Sequence, residues 1–288
     1  FLKDIKKILN MGKINFSVSN LFVIMNMNYF KKFDKVIFAV WRQYNRADYQ
    51  KFSQLSTEVA PEVVPKNLSS KKQLEAYQEK YGFNISKKIY DCQSSKTSAE
   101  VVEKKDDIIK SLPKKKIKTD DMAQIQKLVN ESSNTIYGVK NEGNAISAFE
   151  AEYKCKVSNG QLCSRVEIQI GDDPENCVTL VGKVDGLNEK GEVVEIKNRV
   201  NKLFGELRRY EKPQIMSYMW MNDAKKGYMV ENLNKNNGCN INTIPVDYEK
   251  DYVEKQVIPN LARFHKFFMD FMENYEWKLS ILKGEEAK

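Results

Sequence analysis

The clearest periodicity in the chain lies just past its midpoint. Arg165–Ile170 alternates strictly, with Val166, Ile168 and Ile170 on one side and Arg165, Glu167 and Gln169 on the other. That two-residue period is a strand with one buried face. Val178–Val184 reads as the next strand, and Asn188-Glu189-Lys190-Gly191 is a turn sequence joining it to Glu192–Arg199. In that third strand Val193, Val194 and Ile196 predict a buried setting. Upstream, Asp120–Glu131 and Asn141–Lys154 read as two helices, the second with apolar positions Ala145, Ile146, Ala148 and Phe149. Downstream, Pro213 sits where a helix can start, and Gln214–Asn222 carries it. Gly227–Glu231 and Ile241–Val246 read as short strands. Tyr248–Leu282 reads as an amphipathic helical tail, broken or kinked at Pro259. From Asn141 the order is helix, three-stranded meander, helix, strand: an α/β sandwich around a mixed sheet.

The first part of the chain is less regular. Lys35–Trp41 fits either a strand or a buried helix. From about Ala60 to Lys118 the chain turns polar, punctuated by Pro61 and Pro65, and Ser69-Ser70 predicts a helix N-cap before Lys71–Tyr81. Lys114-Lys115-Lys116-Ile117-Lys118 follows Pro113 as either a solvated loop or a phosphate-contacting one. The expected division is a largely helical region over 1–119 that binds DNA or caps the core, a core over 120–248, and a C-terminal amphipathic helix over 249–288 packed on it.

Composition narrows the chemistry. Across 288 residues, 47 Lys and Arg stand against 39 Asp and Glu, a net +8 that favours a polyanionic partner. The five cysteines, at 92, 155, 163, 177 and 239, form no CxxC pair, so reduced thiols are expected in place of a zinc site or disulfide framework. His265 is the sole histidine, which removes histidine-rich metal sites and Ser-His-Asp or Cys-His chemistry; it is expected on the polar side of the C-terminal helix. No apolar run reaches membrane-span length, and Leu21–Met25 is short. No small-residue cleavage site marks a signal peptide. An intracellular protein is expected, in the cytoplasm or nucleus of its host cell and not secreted. The chain opens on Phe1, with Met11 a candidate start.

One stretch concentrates the candidate chemistry. Asp185 stands at a strand end, and Glu195 and Lys197, two apart on the next strand, face one side. A phosphodiester repels an attacking hydroxide, and a hard divalent cation held by carboxylates relieves that repulsion. Asp185 and Glu195 are the expected cation ligands, with the Ile196 carbonyl a further one. Lys197 is placed beside the attacking water, as a donor or, partly desolvated, as a base. Gly182 and Gly186 bracket Val184-Asp185, leaving room for a close approach of metal or backbone. A helix bearing Glu142 precedes the strands, and one bearing Gln214 follows. Glu150 and Glu152 are rival acids on the Glu142 helix. A surface hairpin with ordinary charged residues is the alternative.

Four motifs occur in order: Tyr137-Gly138-Val139-Lys140-Asn141-Glu142, Val184-Asp185-Gly186-Leu187, Glu195-Ile196-Lys197, and Gln214–Trp220. Together they resemble the PD-(D/E)XK nuclease superfamily, and within it the lambda-exonuclease and YqaJ-type viral recombinase nucleases. Valine stands where the family has proline. The resemblance implies a restriction-endonuclease-like αβββαβ core. It implies a magnesium-dependent DNA nuclease, with manganese able to substitute, acting in recombination, repair or replication. Asp185, Glu195, Lys197 and Gln214 would be catalytic; Glu142, Asp185, Glu195 and Ile196 would hold the metal. Cleavage from double-stranded DNA ends, a homotrimer and a single-strand annealing partner follow from the nearest relatives. Lys183, Arg199, Arg208 and Arg209 are candidate DNA-phosphate contacts; solvated cations are their alternative. Tyr210 and Trp220 could stack on bases, with core packing the alternative for Trp220. Two other readings stay open: a RecB-like single-strand or structure-specific endonuclease, and a non-catalytic nucleic-acid-binding protein on the same fold.

Overall fold

The computed structural model describes residues 12–27, 32–59, 64, 68–158, 163–235 and 238–283, without the side chains of 56–59, 235 and 238. Met11, Pro61 and Pro65 lie outside them. In chain order the main elements are β1 (Lys13–Ser17), α1 (Phe33–Tyr44), α2 (Arg46–Val59), α3 (Ser70–Tyr81), α4 (Ser86–Asp91), α5 (Ser98–Lys110) and α6 (Thr119–Tyr153). Then come β2 (Val157–Ser158), β3 (Cys163–Gln169), β4 (Cys177–Lys183), β5 (Gly186–Asn188), β6 (Val193–Asn198) and α7 (Lys212–Met221). The chain continues through β7 (Lys226–Lys235), β8 (Gly238–Asp247), α8 (Ile258–Glu273) and α9 (Tyr275–Lys283).

Two sheets share the strands. One runs β1-β4-β3, with β1 parallel and β3 antiparallel to β4. The other runs β2-β5-β6-β7-β8 and is mixed: β6 and β7 are parallel, and the remaining pairs antiparallel. The protein is therefore of mixed α/β class. The expected meander is divided: β4 pairs in the first sheet and β5–β6 in the second, with Val184-Asp185 as the crossing.

Each face of the second sheet has its own cover. Ala145, Ile146 and Phe149 of α6 pack on Val194, Ile196 and Val230. On the opposite face, Ile215, Met216 and Met219 of α7 join Val193 and Met229 in the largest core, which α1 and α8 complete with Trp41, Phe264 and Phe268. A separate cluster sets α3, α4 and α5 against the first half of α6, through Leu74, Ile89, Ile108, Ile125 and Leu128. Residues before 120 are thus not one appended lobe. β1 lies in a core sheet, α1 packs in the main core, and only α3–α5 form a unit of their own on α6.

Lys35–Trp41 lies inside α1, where Val36, Ile37, Val40 and Trp41 recur at helical spacing and are buried. Ser69 caps α3, accepting from the Lys72 amide. The two helices expected across 120–154 are one helix, α6. Ser133, Tyr137 and Asn141 are buried in its middle, so tertiary packing overrides the weak helix formers between 132 and 140. The helical backbone runs on through Pro259, but a π-turn at Val253–Val257 stands directly before it, a local irregularity where the proline cannot supply its hydrogen bond. The break falls at Asn274, whose side chain accepts from the Trp277 amide and caps α9. His265 is buried, not on a polar face, and its Nε2 meets the Gly12 carbonyl. The five cysteines are unbridged, with Cys92 and Cys177 buried. Among the described residues no helix is long and apolar enough to cross a membrane.

Candidate active site

Asp185 stands where the chain passes from one sheet to the other. Val184 is fully buried and pins the crossing in the core, while Asp185 is half-buried. Its Oδ2 accepts from the Ile196 amide at 2.7 Å. β5 pairs with β6 only through Gly186 and Leu187, opposite Val194 and Val193. Asp185 therefore takes over the β6 edge where strand pairing stops. A residue's N–H and C=O leave a strand on the same edge, so the Ile196 carbonyl is directed to the Asp185 side.

Glu195 and Lys197 lie on the face of β6 that α7 covers. Lys197 Nζ donates to Glu195 Oε1 at 2.7 Å and to Gln214 Oε1 at 2.9 Å. Gln214 Nε2 donates to Glu195 Oε1 at 2.8 Å and lies 3.3 Å from the Tyr218 hydroxyl. The three side chains close a ring of hydrogen bonds. It leaves one atom over: Glu195 Oε2 is buried, and no donor reaches it. A buried acceptor left in that state costs about 1–3 kcal/mol.

The electrostatics follow from burial and from crowding of acids. Burial pushes the Glu195 carboxyl up to about 7; Lys197 opposes the shift, and Asp185 and Glu142 add to it. Asp185 is raised by burial against the pull of the Ile196 amide, of Lys197 and Lys183, and of the Glu195 carboxyl, which when protonated can donate to it. Glu142, half-buried on α6, is raised by burial and then by Asp185. Glu142 thus lies near enough to Asp185 to feel its charge. The rivals do not: Glu150 accepts from the Val157 amide and pairs with Lys156, and Glu152 is exposed. Burial acts to lower Lys197, but Glu195 and Asp185 outweigh it and hold the amine above its ordinary value. Lys197 is thus held as a donor to Glu195 and Gln214, the first of the two roles the sequence leaves open to it. Among the described residues, no three His, Cys, Asp or Glu side chains converge closely enough to hold one metal ion. Glu142, expected as a ligand, therefore does not close into one group with Asp185 and Glu195; it adds charge from α6, while Asp185 and Glu195 act directly on each other and the Ile196 carbonyl leaves β6 on the Asp185 edge.

The bracketing glycines serve packing. A Cβ at Gly182 would lie 2.4 Å from Tyr218 Cε1 and 2.8 Å from Val18 Cγ2, and one at Gly186 would lie 2.2 Å from Val157 Cγ1. They make room for side chains of the protein, not for a metal.

The expected phosphate contacts separate. Arg199 is committed: it donates to Glu211 at 2.7 and 3.1 Å and to Glu231 at 2.8 Å, with its side chain only 11% exposed. It is a buried clamp. Arg208 is half-buried, pairs with Glu206 and stacks over Phe204, whose ring also lies against Arg199. Arg209 and Lys183 are exposed, and Lys183 lies near enough to act on Glu142 and Asp185. Trp220 is half-buried against the main core, and Tyr210 sits edge-on to Phe22. Lys114, Lys115 and Lys116 form an exposed turn. Sequence reasoning missed Glu211, Glu231 and Tyr218. No local signal marks the clamp, because Glu211 and Glu231 reach Arg199 only through the tertiary fold.

No family model and no curated protein matches the chain. Among solved structures it is similar to SSO0001, at 15% identity over 72% of this chain and 88% of that one, with a TM-score of 0.36. It is also similar to an alkaline exonuclease, LHK-Exo, from Laribacter hongkongensis, at 15% identity over 49% and 73% of the two chains and a TM-score of 0.35. The same exonuclease in complex with dAMP matches at 12% identity over 67% and 92%, with a TM-score of 0.36. Likenesses this distant decide nothing about activity.

Proposed function

We propose that the chain is a divalent-cation-dependent nuclease that hydrolyses DNA phosphodiesters at the Asp185–Glu195–Lys197 site. One observation carries the reading: Glu195 Oε2, buried and without a donor, on a carboxyl that burial and two further acids push toward neutrality. A hard cation suits that atom. The donors are all oxygen, two carboxylates and a carbonyl suffice for magnesium, which keeps several waters, and positive charge relieves the repulsion among the acids. Asp185, Glu195 and the Ile196 carbonyl would hold it, with Glu142 contributing charge. Bound magnesium, or manganese in its place, neutralises non-bridging phosphate oxygens and acidifies a water.

The protein's own groups supply the rest. Lys197, kept protonated, offers an N–H toward an anionic phosphate oxygen or the attacking water. Gln214 fixes that amine and the Glu195 carboxylate at once, so both enter the reaction already oriented. The net charge of +8 favours a polyanionic substrate. The resemblance to the lambda-exonuclease branch narrows the proposal to degradation of linear duplex DNA from its ends, in recombination, repair or replication.

The test uses the purified chain with magnesium and end-labelled linear, circular, single-stranded and double-stranded DNA. Linear duplex should shorten and circles survive. Glu195→Ala and Lys197→Met should lose cleavage while still melting cooperatively. Cleavage of circles removes the exonuclease assignment, and retained activity in Lys197→Met overturns the mechanism. No cleavage of any DNA form overturns the enzyme reading.

A further inference from the structure

Helix α6 carries two glycines beside the site, Gly138 and Gly143, on either side of Glu142. Glycine is a poor interior helix former, and packing or a close approach usually accounts for one. Packing accounts for neither here. A Cβ at Gly143 would meet nothing within 4 Å, and one at Gly138 would make only an ordinary contact with Asn198 at 3.9 Å.

Helical spacing says which face this is. Val139, Gly143, Ile146 and Glu150 follow one another at intervals of four, three and four, a single stripe. At its far end the stripe is packed: Ile146 is buried against β6 and β7, and Glu150 bonds the Val157 amide of β2. Toward Glu142 it opens. Gly143 is exposed, and Val139 is 68% exposed, one of the few large apolar side chains so placed among the described residues. Lys140 is exposed on the same turn, and Lys183, on the strand leading to Asp185, acts on Glu142. The open stripe thus borders the acid group into which the unpartnered Glu195 Oε2 is buried.

We propose that the Val139–Gly143 face of α6 is the track on which the nucleic-acid strand lies as its phosphodiester reaches the acids. This rests on the nuclease reading above. The bare helix surface at Gly143 admits the sugar–phosphate chain, Val139 offers an apolar contact to a sugar or base, and Lys140 and Lys183 neutralise flanking phosphates. The occupant is argued from charge complementarity, through the exposed Lys140 and Lys183, and from continuity with the acids, since Glu142 adjoins Gly143 on α6 and feels the Asp185 charge.

The test compares Gly143→Ala, Gly143→Leu and Val139→Ser with wild type, using a fluorescein-labelled single-stranded oligodeoxynucleotide in EDTA for binding and linear duplex with magnesium for cleavage. Gly143→Ala should melt no lower than wild type, and roughly 2 °C higher on helix propensity alone. Binding should nonetheless weaken several-fold in Gly143→Ala and at least tenfold in Gly143→Leu. Glu152→Leu, exposed further along α6, should bind as wild type. If the Gly143 variants bind and cleave like wild type, the track is wrong and the nuclease reading stands. If wild type cleaves nothing but Gly143→Leu alone loses binding, the track stands and the nuclease reading fails. Equal weakening by Glu152→Leu overturns the track.

Discussion

Arg199 and Glu211 are joined by two parallel hydrogen bonds, Nη1 to Oε1 at 2.7 Å and Nη2 to Oε2 at 3.1 Å. Arg199 stands two residues past Lys197, just beyond the end of β6, and Glu211 stands three residues before Gln214 at the head of α7. The fork therefore ties the strand that presents the amine to the helix that presents its partner. Glu231 on β7 completes it, accepting from Arg199 at 2.8 Å and from the Phe204 and Gly205 amides at 3.0 and 2.9 Å.

Removing one member of this buried set leaves charges without partners. Arg199→Met is expected to cost about 3–5 kcal/mol, because Glu211 and Glu231 stay buried and uncompensated. Arg199→Lys should recover little, since an ammonium cannot bridge two carboxylates as a planar fork does. Urea unfolding of the three proteins at neutral pH checks both statements. A loss under 1 kcal/mol in Arg199→Met would mean that the fork does not hold the strand to the helix.

Gln214 should act on turnover more than on binding. Its amide orients Lys197 and Glu195 together, and a misplacement of about 1 Å in such a group costs on the order of 10²-fold in rate. Gln214→Leu removes both hydrogen bonds and keeps the bulk. On linear duplex DNA, kcat should fall by roughly that factor while KM changes little. A rise in KM with kcat unchanged would place Gln214 in substrate binding.

The parts legible in the sequence were those written in local spacing. The strand period places Glu195 and Lys197 on one face, and Pro213 announces the helix that carries Gln214. Asp185 needs only a strand end. Tertiary partnership is not written that way. Arg199 looks like any basic residue after a strand until Glu211 and Glu231 are brought to it, 12 and 32 residues away. The serines and asparagines between 132 and 141 read as a break, yet Asn141 donates to the Tyr137 carbonyl and accepts from Asn234, so α6 runs through. β1 was unreadable because its partner, β4, lies more than 160 residues on. His265 could be placed only once Gly12 was beside it.

Gly182 should prove intolerant, with a specific remedy. Alanine there would bring a Cβ to 2.4 Å from the Tyr218 ring, whose hydroxyl touches Gln214. Overpacking of this kind costs about 1–3 kcal/mol, and the displaced ring should disturb Gln214. Gly182→Ala is expected to lose stability and activity, and adding Tyr218→Leu should restore part of the stability. A double-mutant cycle measured by thermal melting gives the coupling. Simple additivity would show that the backbone, and not the ring, yields to the new methyl.

Glu195 makes stability depend on pH in the reverse of the usual carboxylate sense. In the folded chain its carboxyl titrates at about 7, against 4.5 for the free group. Between those values the folded state binds more protons than the unfolded one, so stability falls as pH rises. Below the lower value both states are protonated and the penalty is absent. Above the upper value both are ionised and the whole penalty, about 3 kcal/mol at roughly 1.4 kcal/mol per pK unit, is present. Asp185, also raised, adds in the same direction. Lys197 stays protonated throughout this range. Without divalent cations, the urea midpoint should therefore drop between pH 5 and pH 7.5. Glu195→Gln should be more stable than wild type at pH 8, with a flatter profile. Millimolar magnesium should restore wild-type stability at pH 8, where the ionised acids can take the cation, and do far less for Glu195→Gln. A wild-type midpoint that climbs from pH 5 to pH 7.5 would show that Glu195 is ionised and stably paired without a cation.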